Sequence, residues 1–296
     1  MTFALVPRVV LATALLVAAS GCGGSPSSPT SQLGSISGTL TGAGDISMCG
    51  EPGAEATAKL LDSLSGTVFT AGDNAQYRGA PTEYDECFEP TWGRHKSRMR
   101  PSPGNHDYRT QNGAPYREYF RSVLPASGLT YYGYDVGGWR ILALDTNIPF
   151  SAGSAQERWL RTELEGSRGK CVLAYFHHPL FSSGPWATPA VQPLWSVLYE
   201  FGVDVVVNGH DHLYEQFAPQ DPFGRPDDAR GIRQFTVGTG GAGLYAFVRS
   251  APNSQVRDNS TWGVIRFTLR PGSYDWEFIP VSGGSFHDSG TATCSY

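Results

Sequence analysis

The chain has 296 residues with a formal net charge of −5, and 17% of its residues are charged. An acidic balance without a basic run excludes an electrostatic nucleic-acid surface. With 40% hydrophobic residues, 36 Gly and 21 Pro, the composition suits a loop-rich globular enzyme and excludes a disordered chain.

In chain order, residues 9–19 (VVLATALLVAA) follow Arg8 as an apolar run of 11. That is too short to span a bilayer and fits the core of a signal peptide, expected over residues 1–21. Ala19-Ser20-Gly21-Cys22 resembles a bacterial lipobox, which implies a lipid on Cys22; ordinary cleavage nearby is the alternative. Residues 22–36 then form a lipid-bearing, Gly/Ser/Pro-rich flexible tether. The expected location is the cell surface or periplasm as a lipoprotein, otherwise secretion, with a membrane met only through that lipid. Cys49, Cys87, Cys171 and Cys294 remain, an even number that fits an oxidising compartment. Of three possible pairings, Cys49–Cys87 with Cys171–Cys294 is expected, because the first two lie in neighbouring loops after strands. No CxxC or Cys/His finger spacing exists, which excludes a zinc finger.

Residues 37–46 read as a strand entering a loop, 54–64 as a helix and 67–71 (TVFTA) as a buried strand. Residues 72–113 are largely irregular, and 115–124 form a helix with Pro at its start. Residues 130–136 and 139–145 pair as a hairpin about Gly137-Gly138. A helix over 155–165, a strand over 171–176, a helix over 190–201 and a strand over 203–207 follow. From 232 the pattern is strands only, at 232–237, 262–269 and 274–280. This order predicts sheets packed between helices in one domain, 37–296.

Five short motifs each follow a predicted strand: Gly44-Asp45-Ile46-Ser47, Gly72-Asp73-Asn74, Gly104-Asn105-His106-Asp107, Phe176-His177-His178-Pro179 and Gly209-His210-Asp211-His212. Loops beyond the carboxyl ends of strands are where α/β proteins build sites. Each leading Gly is expected to allow a sharp turn. Carboxylates, imidazoles and an amide oxygen suit Fe, Zn and Mn. Asp73 can bridge two ions with its two oxygens. His210 and His212 point the same way in an extended segment, or serve different ions in a turn. The chain has seven His; His106, His177, His178, His210 and His212 lie in these motifs, and His95 and His287 are given no role.

The ordered set D, GDN, GNHD, HHP, GHDH resembles the calcineurin-like metallophosphoesterases over residues 37–296. Within them it is similar to bacterial relatives of the purple acid phosphatases, judging by GDN with a Tyr nearby and by the later GTGG segment. The resemblance implies a four-layer α-β-β-α sandwich of the α/β class, two facing mixed β-sheets flanked by helices. It also implies two divalent or trivalent transition-metal ions, Fe with Zn or Mn. Asp45, Asp73 and His212 would hold the first ion, and Asp73, Asn105, His177 and His210 the second. His106 would act as general acid on the leaving group, oriented by Asp107. Asn105 would also bind the phosphoryl group, and His178 would stand behind the ligands or touch substrate. Ser47 replaces a His found in many members. The place of the purple phosphatases' Tyr, three residues after the bridging Asp, is Gln76, with Tyr77 one later. The fourth ligand of the first ion is then Tyr77 through a bulged loop, or water.

The implied reaction is direct hydrolysis of phosphate esters, monoesters favoured, by a hydroxide that the two ions hold. No GxSxG elbow suggests a serine hydrolase. One rival is a phosphodiesterase or nucleotidase with the same metals. The other, from a different class, is a surface lipoprotein that binds a partner without catalysis. Gly238-Thr239-Gly240-Gly241-Ala242-Gly243 matches GxGxxG, but a strand-like LYAFVRS follows where a dinucleotide site needs a helix. A glycine-rich loop beside the metals is expected instead. Tyr84, Trp92, Phe181, Trp186 and Tyr214 are candidates to line a substrate cleft or to pack under long loops.

Overall fold

The computed structural model describes residues 37–294. The expected signal peptide, Cys22 and the tether lie outside the described residues. The elements are β1 (Gly38–Ala43), β2 (Ser47–Met48), α1 (Gly53–Ser63), β3 (Thr67–Ala71), β4 (Ala75–Gln76), α2 (Pro81–Glu83), β5 (Met99–Ser102) and α3 (Ala114–Tyr119). Next come β6 (Tyr132–Val136), β7 (Trp139–Ala143), α4 (Ala155–Glu165), β8 (Val172–Tyr175), α5 (Gln192–Glu200) and β9 (Val205–Asn208). The chain then runs through β10 (Tyr214–Phe217), β11 (Arg233–Val237), β12 (Ser254–Asp258), β13 (Gly263–Arg270), β14 (Ser273–Pro280) and β15 (Asp288–Thr293).

Two mixed sheets result, in the orders β15-β14-β13-β1-β3-β5 and β12-β10-β11-β9-β8-β7-β6. In the first, β1, β3 and β5 run parallel; in the second, β7, β8, β9 and β11 do. Strand alternation sorts the side chains between layers. Ile141, Leu173, Tyr175, Val205 and Val207 join Leu40, Phe69 and Phe267 in the core between the sheets. Their neighbours Leu142, Val172, Ala174 and Val206 face outward, against Leu160 and Leu164 of α4 and Leu194, Trp195 and Leu198 of α5. Helix α1 covers the other side, with Ala54, Ala58 and Leu61 buried. This is the four-layer sandwich expected from the sequence. Ser154 caps α4, its side chain accepting from the Glu157 amide, which fixes where that helix begins.

The helix over 155–165 and the strand over 67–71 fall where their patterns put them. The missed strands have two causes, edge position and buried polar residues. β5 carries Pro101 and is an edge, where a missing N–H does no harm. β12 and β15 are edges too, half exposed and polar, so no apolar run marks them. β10 (YEQF) is wholly buried, yet Glu215 and Gln216 hide it. The disulfides are Cys49–Cys87 and Cys171–Cys294. Among the described residues no helix is long and apolar enough to cross a membrane.

Candidate metal centre

Each motif leaves the carboxyl end of a parallel strand: Asp45 after β1, Asp73 after β3, Asn105 after β5, His177 after β8 and His210 after β9. The first two loops are zipped together. Asp45 and Ile46 donate their amides to the Gly72 and Asp73 carbonyls at 3.0 Å each, and β2 then pairs with β4. Asp45, Asp73 and His210 all have left-handed backbones, with φ of 59°, 49° and 71°. For residues with a Cβ this costs about 1–3 kcal/mol each and persists only where the surroundings over-determine it. Here they do. The His210 amide donates to Asp45 Oδ2 and the His106 amide to Asp73 Oδ1, both at 2.7 Å.

The leading glycines serve space more than turning. A Cβ on Gly104 would stand 2.2 Å from Asp73 Oδ1, and one on Gly209 would stand 2.6 Å from Asp45 Oδ2. Only Gly72 of the four has positive φ. The expectation of sharp turns before every motif is thereby corrected to close backbone packing. The GxGxxG segment has the same logic. Gly240 donates to the Gly44 carbonyl and Ala242 to the Asp45 carbonyl, both at 2.9 Å, so the segment lies directly behind Asp45.

The side chains converge. His177 Nδ1 donates to the Ala71 carbonyl at 2.9 Å, which leaves the Nε2 lone pair 3.2 Å from Asp73 Oδ2 and 3.0 Å from Asn105 Oδ1. His210 Nδ1 lies 3.1 Å from the same Nε2. His212 Nδ1 donates to the Gly243 carbonyl at 2.8 Å, leaving Nε2 3.2 Å from Asp45 Oδ1. That oxygen is buried without an aligned hydrogen bond. Each contact is an ion pair when the ring carries its proton, and each presents a carboxylate and an imidazole to a shared metal ion when it does not. Two ligands on one ion about 2.1 Å from each lie roughly 3.0–3.4 Å apart, so these spacings fit metal coordination. Asp73 Oδ1 is committed to the His106 amide, so Oδ2 alone faces the cluster, and a bridge through both oxygens is not what this geometry offers.

Without a cation, charge is distributed accordingly. Burial pushes the Asp73 carboxyl up, but the adjacent His177 outweighs it and holds it well below the usual carboxylate range. Burial lowers His177, and the Asp73 charge raises it to a net value of about 9. His212 follows His177: burial lowers it, Asp45 raises it, and the balance is upward. Burial, reinforced by His177, pulls His210 down to about 2 and His178 to about 3.

Asp107 is placed differently from its expected role of orienting His106. Its carboxylate points away from the imidazole and accepts from the Gly104 amide at 2.8 Å, Asn74 Nδ2 at 2.9 Å, the Asn74 amide at 3.1 Å and the Tyr84 hydroxyl at 2.5 Å. It is a buried tie between the GDN and GNHD loops. His106 is held instead by the Tyr77 carbonyl, 2.8 Å from Nδ1, with Nε2 3.7 Å from Asp73 Oδ2. The Tyr77 side chain is 54% exposed at the rim. His178 has Nδ1 2.7 Å from Thr146 Oγ1, its ring packs on His210, and it groups with His177 and His210 as atoms close enough to share an ion.

A cleft of 450 Å³ opens over the cluster, lined by Asp73, Asn105, His106, His210 and His212. Its lining also includes Met48, Gln76, Tyr77, Arg109, Trp186 and Tyr245. Of the five aromatics expected to line a cleft, only Trp186 is among them. Tyr84, Trp92 and Tyr214 are fully buried packing, and Phe181 meets Trp195 edge to face. Sequence reasoning missed Tyr245, which lies flat on His212 with ring centroids 4.0 Å apart, and Arg109, two residues past GNHD. A larger hollow of 610 Å³ by Asp204, Arg233 and Thr291 has none of the motif residues in its lining.

A double-sheet sandwich whose strand ends gather carboxylates, an amide and imidazoles around one cleft is a metal-site protein of the α/β class. More narrowly, the chain belongs to the calcineurin-like phosphoesterase family, whose model matches residues 39–214. It is 29% identical over 177 residues to purple acid phosphatase 21 of Arabidopsis thaliana, covering 53% of this chain and 40% of that protein. It is 24% identical over 282 residues to the probable inactive purple acid phosphatase 1 of the same plant, covering 81% and 45%. The chain therefore spans less than half the length of these relatives. In fold it resembles purple acid phosphatase PPD1 from yellow lupin seeds, with a TM-score of 0.74 and 20% identity over 88% of this chain and 55% of that one. It also resembles GAP50, the anchor in the inner membrane complex of Plasmodium, with a TM-score of 0.67 and 14% identity over 88% and 90%.

Proposed function

We propose that this chain is an exported hydrolase of phosphate esters, monoesters favoured, working with two transition-metal ions. Asp45, Asp73 and His212 would hold the first ion; Asp73, Asn105, His177 and His210 the second; iron with zinc or manganese suits such donors. One observation carries this reading. The Nε2 atoms of His177 and His212, aimed by backbone carbonyls at Nδ1, each lie 3.2 Å from a carboxylate oxygen. Two disulfides support export.

When bound, the ions lower the pKa of a water and withdraw charge from the phosphoryl oxygens. The protein's own share is orientation and proton transfer. His106, with Nδ1 on the Tyr77 carbonyl, turns Nε2 to the cleft and hands a proton to the departing oxygen. Asn105 presents its amide to the phosphoryl group, and Arg109 adds positive charge at the rim. Rates on nitrophenyl phosphate and on bis(nitrophenyl) phosphate, with and without chelator, test the reading. Turnover that chelation abolishes, faster on the monoester, is expected. No turnover of either ester by metal-loaded protein would leave a binding protein.

A further inference from the structure

The two halves of the centre are unequal. His177, His210, Asn105 and Asp73 surround one side, whereas Asp45, Asp73 and His212 are the carboxylates and imidazole of the other. Around the poorer side, buried polar atoms lack partners. Ser47 Oγ and Gln76 Nε2 are each buried with no hydrogen bond, and Asp45 Oδ1 meets only the His212 ring, at 3.2 Å. An unpartnered buried amide or hydroxyl costs stability, and native structures rarely keep one without an ion, a water or a ligand to satisfy it. Ser47 and Gln76 lie on paired segments, because β2, starting at Ser47, runs parallel to β4, ending at Gln76. Gln76 is 1% exposed, yet it lines the same cleft as Asp73, His210 and His212. The neighbouring Tyr77 turns its side chain outward and is 54% exposed.

We propose that the Gln76 amide completes the first metal site, by its oxygen, and that this site therefore takes a divalent ion. The inference rests on the dinuclear reading above. Amide oxygen and nitrogen exchange places by a rotation about the last side-chain bond, so the unpartnered position accommodates the oxygen. The reasoning about charge is simple. A phenolate at this place would add a negative charge that stabilises a trivalent ion. A neutral carbonyl oxygen adds none, and with Asp45 and Asp73 as the only carboxylates the site balances a 2+ charge. Carboxylate, carbonyl and water donors suit manganese; imidazole suits zinc.

Gln76→Leu tests this, because Leu keeps the bulk and removes the buried amide. Metal-free and zinc- or manganese-loaded proteins are melted, and zinc and manganese affinities are measured by equilibrium dialysis. The expected result is a variant that melts no lower than wild type without metal. It should bind one ion as wild type does and the other about 10–100-fold more weakly, the range seen when a ligand's support is lost. Gln76→Glu should restore that affinity. Gln76→Tyr loaded with ferric iron should gain a visible band that wild type lacks. Unchanged affinity for both ions in Gln76→Leu overturns the proposal, as does a visible band in wild type that Tyr77→Phe removes. Wild type that binds neither metal overturns the dinuclear reading and this inference with it.

Discussion

His212 Nε2 faces Asp45 Oδ1 across 3.2 Å because the Gly243 carbonyl holds the opposite ring nitrogen at 2.8 Å. His177 repeats the device with Asp73 Oδ2 and the Ala71 carbonyl. Both carbonyls are backbone, so tautomer and aim are set by the fold and not by a neighbouring side chain.

Metal uptake should therefore release protons. In the metal-free protein His177 is raised to about 9, after burial's opposing effect, by Asp73. A raised imidazole stabilises the metal-free fold fully below its unfolded value, and that contribution is lost as pH rises through about 9. Binding needs the neutral ring. Calorimetry of zinc uptake at pH 7 in buffers of different ionisation heat should show release of about one proton or more, with affinity rising toward pH 9. Heats independent of buffer would show that His177 carries no proton to displace.

His106→Ala should keep both ions, because the imidazole is held by the Tyr77 carbonyl and Asn105 beside it is the closer neighbour of His177. On an alkyl phosphate the rate should fall ~10²–10⁴-fold, the usual worth of general acid catalysis. On a nitrophenyl phosphate, whose leaving group departs unaided, the fall should be clearly smaller. Equal losses, or a missing ion, would make His106 a positioning residue or a ligand.

The Asp107 tie predicts a different phenotype. Tyr84→Phe removes one hydrogen bond to a buried carboxylate and should cost about 1.5–3 kcal/mol of stability. Asp107→Ala strands the Gly104 amide, the Asn74 amide and Asn74 Nδ2 and should cost more, with looser metal retention. Neither should alter the ratio of alkyl to nitrophenyl rates. Thermal melts and that ratio separate a tie between loops from an orienter of His106.

The disulfides should separate likewise. Chain-entropy arguments give about 4 kcal/mol for a separation of 38 and about 5 kcal/mol for one of 123. Cys171→Ser with Cys294→Ser should lower the melting temperature and leave metal retention alone, since that bridge joins the strand ends remote from the motifs. Cys49→Ser with Cys87→Ser should lower both, because Cys49 follows Met48 at the cleft and Cys87 lies one residue from Phe88 beneath Tyr84. Equal metal loss in both pairs would contradict this division.

Much of this was legible in residue order. Short Asp, Asn and His motifs after strands announced the cluster, and apolar periodicity announced the buried strands and α4. What escaped depends on contacts far apart in sequence. Nothing near Asp107 indicates that its partners are Asn74 and Tyr84, at separations of 33 and 23 residues. Tyr245 reaches His212 only because the Gly238–Gly243 segment folds behind Asp45. Gln76 is buried at the end of the β2–β4 pairing and Tyr77, just beyond it, is exposed, and no local pattern marks which of the two turns inward.

Metal content tests the centre most directly. Elemental analysis of protein folded without chelators should find close to two transition-metal ions per chain, and His212→Ala, which removes one side of the site only, should retain close to one. A wild type with no metal, or a His212→Ala variant with the full complement, would contradict a dinuclear centre built on Asp45, Asp73, Asn105, His177, His210 and His212.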